Sequence, residues 1–297
     1  MKRLEFFILL ILTLSSPGFS SEEDPEHYIS ISLAGGNDNS RYTDIAGDFT
    51  INKQLFFGVL MSRSKAFDSI QDKEIQSRAL ALSLSHEVNQ TFTFGGALAF
   101  QDEDNLNNST TIRIFGNTKV SDLWQGKRIT SLYTELGRTN YRQTDNTTAR
   151  QPGSPPSKTE SLRAKFFTLG LSQEINSWLS LYMDYTKYKY SLSLLEQSSL
   201  QNRRSNNRSS ASAIDRSWGM PEEILSFKLT LLPIDEIKVY SSVARSSLSG
   251  DLQKVNTINL GFTHYIQNFD WGLLGTKVQY ESTSDINQLQ LNLGYQF

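Results

Sequence analysis

The feature that most constrains this chain is a period of two. Between Ile286 and Phe297, Leu289, Leu291, Leu293, Tyr295 and Phe297 fall on one face of an extended strand. Gln290, Asn292, Gly294 and Gln296 fall on the other. Alternation of this kind marks a strand with unlike faces, whereas an amphipathic helix repeats every ~3.6 residues. The pattern recurs far from the C-terminus. Leu80, Leu82 and Leu84 oppose Ala79, Ala81 and Ser83. Phe92, Phe94, Leu98 and Phe100 oppose Thr93, Ala97 and Ala99. Leu225, Phe227, Leu229 and Leu231 oppose Ser226, Lys228 and Thr230. Ile258, Leu260 and Phe262 oppose Thr257, Asn259 and Gly261.

Read in order, the alternation predicts strands near 28–36, 41–50, 54–67, 75–87, 91–102, 109–120, 128–141, 161–174, 178–192, 223–232, 236–248, 254–266, 271–281 and 286–297. The segment at 41–50 has the weakest pattern. The count is about fourteen and even, as single-chain bacterial barrels require; twelve or sixteen stay open if one weak hairpin is misread. Between the strands, Val88-Asn89-Gln90, Asn176-Ser177 and Gln267-Asn268-Phe269 read as tight turns. The long connections near 142–160 and 193–222 both fall on the other side. If both termini lie in the periplasm, those long connections are external.

The N-terminus reads as an export signal. Lys2 and Arg3 precede an apolar run from Phe6 to Leu14, and Gly18 and Ser20 suit cleavage after Ser20. That run is shorter than the ~20 residues of a helical membrane span. The expected organisation is a signal peptide over 1–20, a short acidic periplasmic leader over 21–26, and one β-domain over 27–297. With 0 cysteines, disulfides, cysteine-held metal and a lipid-modified cysteine are all excluded. Nothing in the pattern calls for a cofactor or a metal. A net charge of -2 argues against a nucleic-acid partner. Mean hydropathy is -0.40, which a chain in lipid tolerates when only alternate residues meet hydrocarbon.

Alternation alone does not say which face is inside. Strand number does. Side chains fill a barrel interior only up to about eight strands. Leucines on the inside of a fourteen-stranded barrel would not close a core, whereas a polar interior need not close. The polar face also holds charges in mid-strand, at Arg113, Glu135, Asp184, Lys228 and Lys277, and these are costly in an apolar interior but not in water. The fold expected is therefore an all-β, antiparallel, up-and-down transmembrane barrel with the apolar face toward lipid.

This architecture resembles the Gram-negative outer-membrane barrels. The terminal Phe297 with Tyr295 resembles the C-terminal signal that barrel assembly machinery reads. Chain length and strand count resemble the fourteen-stranded monomeric porins of the porin G type, over essentially all of the mature chain. No specific motif carries the likeness. The likeness implies a monomer that passes small hydrophilic solutes or ions through its lumen. From the sequence itself a trimer stays open. By parity the pore-lining set is Asp44, Asp48, Arg113, Lys119, Glu135, Asp184, Lys228, Lys238 and Lys277, with small residues such as Ala79, Ala81, Ala97, Ala99, Ser180 and Gly275 keeping the bore wide. The likeness also makes the 193–222 loop, with Arg203, Arg204, Arg208 and Arg216, a candidate gate.

Two other functions are weighed. A lipid-modifying hydrolase needs a serine and a histidine near the outer rim, but His27, His86 and His264 fall near the periplasmic strand ends, at lipid-facing parity. A protease site would draw on Asp68, Asp72, Asp102 and Asp104, whose spacing is not diagnostic. Adhesion would act through the external loops, including the stiff tip Gln151-Pro152-Gly153-Ser154-Pro155-Pro156. On the lipid side, Arg163, Lys165, Lys187 and Lys189 share parity with Phe167, Leu169, Leu181 and Met183 and are candidates to hold lipopolysaccharide phosphates. Tyr182, Tyr188 and Tyr190 share the lumen parity instead, and the sequence offers no account of them.

Overall fold

The computed structural model describes residues 27–68, 73–103, 107–120, 130–144, 159–191, 221–248, 254–280 and 285–297. These form fourteen strands and, among the described residues, no helix. The first seven are β1 (Tyr28–Gly36), β2 (Arg41–Asn52), β3 (Leu55–Asp68), β4 (Lys73–Asn89), β5 (Phe92–Glu103), β6 (Asn107–Lys119) and β7 (Thr130–Thr144). The rest are β8 (Thr159–Asn176), β9 (Leu179–Tyr190), β10 (Pro221–Ile234), β11 (Ile237–Leu248), β12 (Lys254–Ile266), β13 (Phe269–Tyr280) and β14 (Ile286–Gln296). Each pairs antiparallel with the next, and β1 pairs with β14, so the sheet closes on itself.

Closure leaves no edge strand and satisfies the backbone within the wall, which a strand in hydrocarbon requires. The seam is as regular as the rest. Ile29, Ile31 and Leu33 stand opposite Tyr295, Leu293 and Leu291. At its end, the His27 backbone N–H donates to the Phe297 carbonyl at 2.9 Å and the Phe297 N–H returns to His27 at 2.8 Å. The 41–50 segment, weak in pattern, is β2, paired with β1 over 41–48 and with β3 over its whole length. Strands run from 9 residues in β1 to 18 in β8, from about the minimum that crosses a bilayer's apolar core up to well beyond it.

The turns at the end nearest the termini are short, and three share one device. Asn52 Oδ1 accepts from the Gln54 N–H at 2.9 Å, Asn89 Oδ1 from Thr91 at 2.9 Å, and Asn176 Oδ1 from Trp178 at 3.0 Å. An asparagine that folds back onto the backbone two residues on sets a tight reversal. Gln267 makes another with φ at 53°.

The two faces are sorted by chemistry, with apolar side chains outside. Leu260 is 63% exposed, Ile114 61% and Leu289 61%, while Glu135 on the inner face is 7% exposed. A band of exposed leucine, isoleucine and phenylalanine around a closed wall is unfavourable in water and suited to hydrocarbon.

Candidate functional site

The inner face is the site. Its mid-height charges come from β6 to β10. Arg113 on β6 reaches Glu135 on β7, Nη1 to Oε1 at 3.4 Å. Tyr133 donates its hydroxyl to the other Glu135 oxygen. Ser226 on β10 donates to Asp184 Oδ1 at 3.2 Å. Lys228 lies over the Tyr240 ring at 5.8 Å, a cation–π distance. Asp44, Asp48, Lys119 and Lys238 also share the inner parity, since their strands are locked in register to these. Asp48 and Lys119 are exposed and lie toward the end of the barrel that holds the termini.

Lys277 is a correction. It stands opposite Ile258 on β12 and Asn287 on β14, both outward. Lys277 is therefore outside, where its Nζ meets Asp285 Oδ2 at 3.0 Å. Gly275, opposite Leu260, is outside as well. The reason is local. Strand β13 has Trp271 and Leu273 on one face and Leu274 and Val278 on the other, so alternation does not choose between its faces. The neighbouring strands do.

The inner tyrosines now have a place. On the wall from β6 to β9, rings lie beside one another: Phe115 and Tyr133 at 6.4 Å, Phe166 and Tyr188 at 5.5 Å, Tyr188 and Tyr190 at 6.4 Å. Several inner rings lie against a glycine of the neighbouring strand, Phe166 against Gly137 on β7 and Tyr240 against Gly261 on β12 among them. A Cβ on Gly137 would come within 2.1 Å of the Phe166 ring, and one on Gly261 within 2.7 Å of Tyr240. Only glycine lets a ring approach the wall this closely, and a ring against the wall does not stand across the bore.

The inner face changes along its height. In the outer half Thr139, Ala164, Ala244, Ser246 and Val255 are almost wholly buried. Val255, Val278 and Ile286 form an apolar cluster there with Tyr280 packed against it. The inner wall also carries neutral hydrogen bonds. Thr276 donates to Asn259 at 2.7 Å and Asn259 to Ser242 at 3.0 Å. Thr168 and Thr186 meet at 2.8 Å.

The remaining candidates are dispersed. His86 and His264 face outward near the end that holds the termini, with ring centroids 5.7 Å from Phe94 and 6.0 Å from Trp271. His27 sits 5.5 Å from Phe297. Tyr295 and Phe297 both lie exposed outside, stacked at 6.2 Å. Asp102 is outward, opposite Arg78. Asp72, Asp104, the 193–220 part of the loop with Arg203, Arg204, Arg208 and Arg216, and the expected leader over 1–26 lie outside the described residues. Arg163, Lys165, Lys187 and Lys189 are outward and exposed. Lys187 is held by Glu223 at 3.0 Å.

No protein-family model matches the sequence, and no curated protein matches it. Solved structures do match in shape. The monoaromatic hydrocarbon channel CymD is similar with a TM-score of 0.51 at 9% identity, over 93% of this chain and 88% of that one. The toluene transporter TodX of Pseudomonas putida gives 0.51 at 8% identity, over 95% and 92%. The KdgM porin gives 0.45 at 7% identity, over 91% and 99%. What this chain shares with CymD and TodX is the fold, a closed antiparallel β-barrel.

Proposed function

We propose that the protein is a pore of the bacterial outer membrane that passes small hydrophilic solutes or ions by diffusion. The observation that carries this reading is the inner face itself. It holds charged groups of both signs at mid-height inside a wall whose outside is leucine and phenylalanine. The carboxylates Glu135 and Asp184 stand on β7 and β9, and Lys228 and Lys238 follow on β10 and β11, so a field between the two signs runs along one arc of the lumen. Such a field orders hydrated ions and polar solutes by charge. The small residues Ala79, Ala97, Ala99 and Ser180 leave room on the other arc of the wall. The solvent-accessible end lies toward the periplasm, where Asp48 and Lys119 are exposed. The narrow zone lies in the outer half.

Solute efflux from liposomes tests the reading. Purified barrel reconstituted into vesicles loaded with sugars of graded size should release the small ones and retain the large. Equal retention of all of them, by a barrel that is folded and inserted, would refute a diffusion pore.

A further inference from the structure

Outward cations gather on one wall, in a row. Arg138 on β7 stands directly opposite Lys165 on β8, and Lys165 directly opposite Lys189 on β9. All three are exposed. The next row toward the periplasm begins with Leu136 and Phe167, so the cations mark the outer edge of the apolar band. Arg163 lies one step further out, opposite Asn140. Opposed side chains on antiparallel strands have Cβ atoms ~5 Å apart, and like charges there repel.

Three other outward cations have an acid beside them. Lys187 has Glu223 at 3.0 Å, Lys277 has Asp285 at 3.0 Å, and Arg78 stands opposite Asp102. The row has none. Among the described residues, the outward positions of β7, β8 and β9 carry no Asp or Glu. Glu135, Glu174 and Asp184 of these strands share the inner parity instead. Within the row, the hydrogen bond shown is from Arg138 Nε to Asn140 Oδ1 at 3.2 Å. Three neighbouring cations without a counter-charge of their own call for anions from outside the chain. The apolar surface directly below, Leu136, Phe167 and Leu169, calls for hydrocarbon.

We propose that the row Arg138–Lys165–Lys189 binds the phosphate groups of an outer-leaflet lipid, with its acyl chains along Leu136, Phe167 and Leu169. Only a phosphorylated lipid meets both demands; free phosphate meets one. The inference rests on the barrel spanning a membrane, but not on its lumen being open. Sequence parity identifies Lys165 and Lys189 as outward. The register adds Arg138 to them and sets Lys187 apart, since Glu223 already neutralises it.

Binding of bisphosphorylated lipid A to the detergent-solubilised barrel tests this. The triple variant R138Q/K165Q/K189Q should bind on the order of a hundredfold more weakly, at about fivefold per cation removed. K277Q should bind as the parent does. The parent barrel should bind dephosphorylated lipid A as weakly as the triple variant binds the phosphorylated form, a comparison that does not depend on the variant folding. Millimolar inorganic phosphate should not displace the lipid. Equal binding of the two lipids by the parent, unchanged binding by a folded triple variant, or displacement by phosphate alone would overturn the site. A parent barrel that binds lipid but releases no sugar would refute the pore and leave this site standing.

Discussion

Two stretches of the same wall solve the same problem differently. From β7 to β9, charge is sorted by side: carboxylates Glu135 and Asp184 face in, and Arg138, Lys165 and Lys189 face out. From β12 to β14, the inner side carries one carboxylate among the described residues, Asp270 at the end nearest the termini, met by the Tyr28 hydroxyl, and is otherwise neutral or apolar, with Asn259, Thr276 and the Val255–Val278–Ile286 cluster, while the outward Lys277 brings its own acid. The strand geometry is the same in both. The difference teaches that a barrel's lining and its lipid contact are local properties of a few strands, set by which side chains alternate there. The β7–β9 stretch carries charge on both of its sides.

The largest expected effect is at Glu135. E135Q removes the counter-charge of Arg113, which is itself largely buried in the wall. Stability should fall by about 2 kcal/mol, less than for a fully buried pair because the Arg113 side chain keeps 17% of its surface exposed. Permeability should shift several-fold toward anions, read as the reversal potential in a salt gradient. An unchanged reversal potential would mean that the β7–β9 stretch does not set selectivity.

Next comes a pair of glycines that sharpens the same contrast. G137A places a methyl group where the Phe166 ring lies and should cost about 1–3 kcal/mol by overpacking. It should also lower conductance, since the ring swings toward the bore. G275A on β13 meets nothing nearer than the Leu260 carbonyl at 3.7 Å and should be neutral within about 0.5 kcal/mol. Thermal melting of the two variants side by side decides it; equal melting temperatures would contradict the packing account.

The smallest effect is at Lys277. K277Q breaks an exposed pair with Asp285 and should cost no more than about 1 kcal/mol, with no change in conductance. A marked loss of conductance would return Lys277 to the lumen.

Much of this was legible in the sequence, for a physical reason. Where the two faces of a strand differ in kind, as leucine against glutamine in β14, alternation gives both the strand and its facing. Where both faces are mixed, as in β13, it gives the strand alone, and Lys277 and Gly275 are then misassigned. Features that depend on two strands at once are not legible in either. The ring of Phe166 finds Gly137, and Arg138 finds Lys165, only when register fixes which residues stand opposite. Arg138 does share parity with Leu132 and Leu136, so its outward facing was readable; its place in the row was not.

The central claim is that the hydrophilic face surrounds water and the oily face meets lipid. A chain with 0 cysteines allows a direct test. Single cysteines at Ser242, which is inward, and at Leu260, which is outward, would be exposed to a charged methanethiosulfonate reagent during planar-bilayer recording. The account expects discrete channel steps that shrink on treatment of S242C and stay unchanged for L260C. Steps that shrink for L260C and not for S242C, or a folded barrel that gives no steps at all, would contradict it.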